Sequence, residues 1–200
     1  MKLALRIILT LVLLLNISCL DDGLDCGSIN NEYINIVGIG GTNVAIGGSF
    51  SNFITVGAGI TLTYSEFGIR AVPEAAYESQ ATIVGGFRAY ACSPLLQPTE
   101  EIAEIAVFSS ADYAQAASSK VFSAGDTLNA IIKIYEPYSG RIVGLPDFLV
   151  DDDLAAADEP FTLQLTSAPR ESANHQFTVH YRLENGEFYE FTTDPVTLVP

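Results

Sequence analysis

From His175 to Leu198 apolar and polar residues alternate on either side of Asn185-Gly186. Alternation with period two marks a half-buried strand, and Asn-Gly between two such runs marks a hairpin. The pattern also selects the turn. A two-residue loop would pair Leu183 with Phe188 and Tyr181 with Glu190, mixing apolar and charged groups on one face. A three-residue loop, Glu184-Asn185-Gly186 with Gly186 left-handed, pairs Leu183 with Glu187, Tyr181 with Tyr189 and Val179 with Phe191. Phe177, Val179, Tyr181, Tyr189 and Phe191 then share one side, while Thr178, His180, Arg182, Glu190 and Thr192 share the other. A one-residue slip reverses every side chain, so the pattern predicts the second register, a type I turn with a G1 bulge.

Shorter runs of the same kind recur upstream. Tyr33–Val37 and Asn43–Ile46 read as strands separated by a turn or bulge at Gly38-Ile39-Gly40-Gly41. This glycine cluster lacks Gly-Lys-Ser/Thr, and Asn43 stands where a dinucleotide fingerprint needs its third glycine. Ile60, Leu62 and Tyr64 alternate with hydroxyl residues and are expected inward; Phe67–Val72 continues as a strand that ends before Pro73. Phe87–Cys92 is a further strand, and Pro94–Pro98 should interrupt any strand or helix. Ile102–Phe108, apolar apart from Glu104, suggests a central strand covered on both faces. Asp112–Ser123 has no firm period and reads as loop or a short helical turn. Thr127–Tyr135 places Leu128, Ala130, Ile132 and Ile134 on one face, Pro137–Gly140 is a turn, and Pro146–Val150 is one helical turn. Phe161, Leu163 and Leu165 mark another strand. Some eight short strands without a long amphipathic helix or an internal repeat predict an all-β antiparallel sandwich, Ig-like or a related Greek key with a C-terminal hairpin. A partly closed barrel is the second choice.

The N-terminus has a different pattern. Lys2 and Arg6 precede an aliphatic run, Ile7–Leu15, and then Asn16-Ile17-Ser18-Cys19. Such a run is too short for a spanning helix, which needs roughly 20 apolar residues, and its order is that of an export signal. It resembles a bacterial lipoprotein signal, with Asn16 in place of the usual leucine. The resemblance implies cleavage between Ser18 and Cys19 and lipidation of Cys19 with diacylglycerol and an N-acyl chain such as palmitate. At about 0.8 kcal/mol per buried methylene, two or three chains hold a protein on a membrane without any helix. Leu20-Asp21-Asp22-Gly23-Leu24-Asp25 follows. Asp21 and Asp22 behind the lipidated cysteine resemble the export signal that sends Bacteroidota lipoproteins to the outer face of the outer membrane. A solvated acidic tether facing the periplasm is the alternative. The expected organisation is a signal at 1–18, a lipidated tether at 19–31 and a single β-sandwich domain at 32–200.

Composition narrows the partners. The chain carries a formal charge of −15, and loss of Lys2 and Arg6 with the signal deepens it by two. Such a surface repels phosphate backbones and anionic head groups, so nucleic acid is excluded as a partner and the membrane is met through the lipid alone. With Cys19 lipidated, Cys26 and Cys92 remain as an even pair in an oxidising compartment. A bridge between them closes a loop of about 65 residues and stabilises by about 4 kcal/mol in the chain-entropy model; two free, partly buried thiols are the other reading.

The order of parts then resembles a family. A lipoprotein signal, an acidic tether, Ala91-Cys92-Ser93-Pro94, Phe161-Thr162-Leu163-Gln164-Leu165, Pro169 and HQFTVHYRLENGEFYEFTT at 175–193 resemble uncharacterised Bacteroidota surface lipoproteins of this length. The resemblance implies a domain of unknown function and supplies no catalytic residue.

Candidate chemistry is sparse. His175 and His180 sit at odd spacing on one expected strand, so they point to opposite faces and share no metal; both are expected as surface polar residues. There is no Gly-x-Ser-x-Gly elbow. Asp151-Asp152-Asp153 is a weak calcium candidate that lacks the alternating carboxylates and glycine of an EF-hand loop. No cofactor is implied. The expectation is a non-enzymatic, lipid-anchored binding or assembly module with a protein or glycan ligand. The alternatives are a surface hydrolase acting on glycan or peptide, which a buried Ser–His pair would favour, and a structural subunit of an envelope complex.

Overall fold

A computed structural model describes residues 32–47, 53–79, 96–98, 100–135, 141–149 and 158–200. These residues form fifteen strands, one 3-10 turn at Asn129–Ile131 and one α turn at Leu145–Phe148. The protein is all-β.

The largest sheet has seven strands. At its centre β1 (Glu32–Ile46) and β4 (Phe67–Ser79) run antiparallel over thirteen pairs. Outside β4 lie β11 (Phe161–Leu165), β9 (Ile132–Tyr135) and β10 (Ile142–Gly144). The other edge of β1 meets β2 (Phe53–Thr55) and, in parallel, β5 (Leu96–Pro98). A three-stranded sheet packs against it: β14 (Phe188–Thr192), β13 (Phe177–Leu183) and β6 (Ile102–Ser109). A third sheet orders β12 (Ala173–His175), β15 (Val196–Val199) and β3 (Thr61–Thr63), with β15 and β3 parallel, and β7 (Tyr113–Ala114) pairs with β8 (Val121–Phe122). Neighbours such as β1–β4, β4–β11 and β6–β13 are distant in sequence, so the chain crosses between sheets and does not meander within one.

The core lies between the two larger sheets. Ile34, Ile36 and Ile39 of β1, Phe67, Ile69 and Ala71 of β4, and Phe161, Leu163 and Leu165 of β11 are all buried on the same side. They face Phe177, Val179, Tyr181 and Leu183 of β13 and Ile105 and Val107 of β6. Phe67 stacks on Phe177 at 5.1 Å between ring centroids. Each fully buried side chain of this size contributes about 1.5–3 kcal/mol, so this layer dominates the stability.

The C-terminal hairpin has the expected register. Val179 opposes Phe191 and Tyr181 opposes Tyr189. The Gly186 N–H donates to Leu183 O at 3.0 Å, the Leu183 N–H donates to Glu187 O at 2.9 Å, and Gly186 has φ +92°. Those bonds define the type I turn and its G1 bulge. The strand at Phe161–Leu165 and the helical turn near Pro146 also lie where expected.

Other expectations fail for identifiable reasons. At the glycine cluster the bulge holds and the turn does not: β1 runs through it as one strand, with a bulge between Ile36 and Gly38. Side chains from elsewhere take both backbone groups of Ile36. Its N–H donates to Glu100 Oε2 at 2.8 Å, and its carbonyl accepts from the Tyr189 hydroxyl at 2.8 Å. Pro73 does not end β4, because it lies beyond the β11 ladder, which stops at Ala71; only one edge of β4 is paired there, and an open edge tolerates a residue without an N–H. Leu96–Pro98 forms an edge strand in spite of its proline. Ile60 is exposed, whereas Leu62 and Tyr64 pack on the core. The 3-10 turn shifts the phase before β9, so Ile131 is buried and Ala130 exposed.

The segment 112–123 contributes β7 and β8. Among the named strands β6 pairs with β13 alone. Its other edge is met by residues 125–129: Phe108 bridges Thr127, the Gly125 and Leu128 N–H groups donate to the Ser109 and Val107 carbonyls at 2.9 and 2.8 Å, and Asn129 completes the contact. The amide accepts the Val107 N–H at 3.0 Å and donates to Ile105 O at 2.8 Å, standing in for a neighbouring strand. The expected strand at 87–92 and the turn at 137–140 lie outside the described residues, as does the tether at 19–31.

Candidate functional site

Several sequence candidates also fall outside the described residues: Ser18 and Cys19, Asp21 and Asp22, Cys26 and Cys92, and Asp151, Asp152 and Asp153. Among the described residues no group of three or more His, Cys, Asp or Glu is placed to hold a metal ion, and no helix is long and apolar enough to cross a membrane.

His175 is not at the surface, as expected, but fully buried. Its Nδ1 lies 2.9 Å from Ser109 Oγ, and Ser109 Oγ also accepts the Ala111 N–H at 3.2 Å. The imidazole packs against the rings of Tyr113 and Phe177, at 5.5 and 5.8 Å between centroids. Burial lowers its pKa, which keeps the ring neutral, and Nε2 has no hydrogen-bond partner. A Ser–His pair therefore exists, but it has neither a carboxylate on the far nitrogen nor an open path to the hydroxyl, since both residues and both covering rings are buried. The geometry is that of a packed core histidine. The alternation reaches it: 175, 177, 179, 181 and 183 are all buried, so the odd spacing that turns His180 outward turns His175 inward, even though the strand breaks at Gln176 and His175 pairs with Val196.

His180 is on the outer face of the three-stranded sheet, as the hairpin register requires. Its ring lies between Phe108 and Phe188, with Nε2 3.3 Å from Glu190 Oε2. Next to it Arg182 meets Glu104 at 2.7 Å. Among the described residues Arg182 and His180 on this face each have a glutamate beside them.

The outer face of the seven-stranded sheet is built differently. Directly opposed residues of neighbouring strands share a face, so Thr42, Arg70, Thr162 and Tyr135 form one row across β1, β4, β11 and β9. The next row is Val44, Gly68, Gln164 and Lys133. Phe53 opposes Ile46 and projects to the same side from β2. Four strand spacings separate β2 from β9, roughly 19 Å in a flat sheet, yet the rings of Phe53 and Tyr135 are 5.5 Å apart between centroids. The sheet therefore curls into a trough. Val44, Ile46, Gly68 and Thr162 are buried as its floor, apart from the main core. Gly68 permits the curl, because a Cβ there would stand 3.0–3.2 Å from Thr162, Ile46 and Val44 side-chain atoms.

Arg70 lies half-buried in this trough, its guanidinium 5.6 Å from the centroid of Phe53. Among the described residues no carboxylate or carbonyl pairs with Arg70, nor with Lys133 in the adjacent row. The chain has 24 Asp and Glu against 9 Lys and Arg, so a cation left without a counter-charge runs against its composition. Val72, in the row next to Arg70, and Ile142, at the end of the Arg70 row beside Tyr135, stand exposed on the same face. Sequence reading passed over Arg70 although the alternation contains it: Phe67, Ile69 and Ala71 point inward, which leaves Gly68, Arg70 and Val72 outward. Phe53 had no such signal, because three residues of an edge strand show no period.

No protein-family model and no curated protein matches the chain. Among solved structures it is similar to the C-terminal domain of the antigen I/II polypeptide BspA of Streptococcus agalactiae. The identity is 11%, the TM-score 0.25, and the match covers 80% of this chain and 50% of that one. It is also similar to the C-terminal domain of the antigen I/II-family protein AspA of Streptococcus pyogenes, with 10% identity, a TM-score of 0.23, and coverage of 82% and 47%. The chain spans about half the length of each. The fold assignment rests on the sheets described above.

Proposed function

We propose that this protein is a lipid-anchored outer-membrane lipoprotein displayed at the cell surface, where its β-sandwich serves as a non-enzymatic binding module. The anchoring half of the reading is supported by Ile17-Ser18-Cys19 behind a charged start and a short aliphatic run, with Asp21 and Asp22 just after it. The binding half is carried by one observation, the half-buried Arg70 on the outer sheet face of an acidic protein, with no carboxylate beside it among the described residues. A guanidinium kept in a partly desolvated trough presents donors to whatever arrives there. The hydrolase alternative needs a reachable nucleophile, and Ser109 is sealed beneath Tyr113 and Phe177.

Protease treatment of intact cells tests the reading, with the wild type set beside Cys19→Ala. Digestion of the wild type while the membrane stays closed, together with release of Cys19→Ala from the membrane fraction, is the expected result. Protection of the wild type moves the protein to the periplasmic side. Retention of Cys19→Ala on the membrane removes the lipid anchor.

A further inference from the structure

We infer that the trough on the outer face of the seven-stranded sheet is a binding site for a carboxylate-bearing saccharide, with Arg70 as the residue that takes the carboxylate. The inference rests on the binding-module reading and names its ligand class. Three observations support it.

The first is charge. A half-buried guanidinium loses part of its hydration, and an anionic partner compensates that loss most strongly. Among the described residues Arg70 has the Phe53 ring and no carboxylate, and Lys133 stands one row away, also without one. On the opposite outer face Arg182 and His180 each sit against a glutamate. The missing negative charge in the trough is the ligand's to supply.

The second is what flanks the guanidinium. Thr42, exposed and directly across from Arg70 on β1, sets a hydroxyl beside the guanidinium at strand spacing, while Thr162 on the other side is buried in the floor. Hydroxyls both donate and accept, which suits the mixed polarity of a sugar ring. Gln164 extends this edge in the next row, while Phe53, Val72 and Ile142 offer apolar surface for the C–H face of a pyranose or an acetamido methyl. Few apolar surfaces with convergent polar groups are the usual make-up of a small-molecule site.

The third separates a saccharide from the other common carboxylate, a peptide C-terminus. Capture of a terminal carboxylate draws on free backbone N–H groups at a sheet edge or a nest. Arg70 is in the middle of the sheet, laddered to Thr42 on one side and Thr162 on the other, and the backbone around it is already engaged. The site has side chains to give and no main chain.

Titration calorimetry of the full chain in detergent is the test. The probes are sialyllactose and a tri-galacturonate, with lactose and tri-galactose as neutral counterparts, and inorganic phosphate and a tripeptide ending in valine as competing anions. At least one acidic saccharide is expected to bind and its neutral counterpart not. Arg70→Gln should weaken binding at least tenfold, the loss of a charge-assisted pair, and Arg70→Lys by a smaller factor, because it keeps the charge and loses the planar fork. Circular dichroism confirms the fold of each variant; should Arg70→Gln unfold, Arg70→Lys and the wild-type competition carry the decision. Binding by neither acidic probe, equal affinity for neutral and acidic sugars, or unchanged affinity in a folded Arg70 variant overturns the assignment. So does stronger binding of phosphate or of the tripeptide. These outcomes leave cell-surface display untouched, whereas a protein found inside the envelope by proteolysis leaves the affinity of the trough untouched.

Discussion

The ring of Phe191 occupies the space that a Cβ on Gly41 would fill. Gly41 belongs to β1 of the large sheet and Phe191 to β14 of the facing one, so this one contact sets how closely the two layers approach at that point. Gly41 has no positive φ, and its glycine is required for space and not for backbone conformation. Gly41→Ala should cost about 1–3 kcal/mol by overpacking, read as a shift in the urea midpoint at constant slope. Phe191→Leu in the same chain should recover part of that loss; strictly additive effects in the double variant would show that the ring is not what excludes the methyl.

Gly186 is the opposite case. Nothing lies near its Cβ position, but its φ of +92° is one that side chains disfavour. Gly186→Ala should lower stability by about 1 kcal/mol, and Gly186→Asn by less. Equal thermal midpoints for all three chains would mean that the turn relaxes to another type.

Asn129 bonds both Val107 N–H and Ile105 O on the edge of β6 through a single amide. Asn129→Ala leaves the Val107 N–H and the Ile105 carbonyl without this partner and should cost about 1–3 kcal/mol. Asn129→Asp keeps the acceptor, loses the donor, and should fall between. Hydrogen exchange at the Val107 amide is the direct readout: protection that persists in Asn129→Ala would show that water or a shifted strand replaces the side chain.

His175 makes stability depend on pH in a known direction. Its folded pKa is lowered from the ordinary value of 6.5 by burial. Below 6.5 the unfolded chain takes up a proton that the folded chain refuses, so the unfolded state binds more protons and stability falls with falling pH. The contribution is whole above 6.5 and is lost as pH drops toward the folded pKa. A His175→Phe variant, which keeps an aromatic ring over Tyr113, should show a shallower fall between pH 6.5 and 5. The difference should reach at most about 1.4 kcal/mol per pH unit. Superimposable pH profiles for the two chains would mean that His175 does not titrate in this window.

What the sequence revealed followed from local periodicity. The hairpin around Asn185-Gly186 was legible to the level of register, because Phe177–Leu183 repeats with period two and, of the two turn geometries, one alone keeps Tyr189 and Phe191 with Tyr181 and Val179. Strand β11 was legible for the same reason. Gly38–Gly41 and Pro73 misled, since each carries a strong local preference for a break that tertiary pairing overrides. The bulge draws on Glu100 and Tyr189, more than sixty and one hundred and fifty residues away, and no local window contains them. The trough was invisible for a related reason. Phe53, Arg70, Tyr135 and Thr162 come from four strands whose order in the sheet is not their order in the chain. The buried Ser109–His175 pair likewise joins positions 66 apart.

The thirteen-pair ladder between β1 and β4 has a mechanical meaning. Residue 32 is where the described body of the protein begins, and β1 starts there, gripped by β4 along its whole length and by β5 at its first three residues. Tension drawn along β1 from that end, against a load held at Arg70, would slide β1 past β4 and strain the ladder's hydrogen bonds together instead of peeling them one by one. A ladder loaded in shear resists more force than one that unzips, so a pull at residue 32 against the outer face would be met by the paired strands of β1 and β4 together.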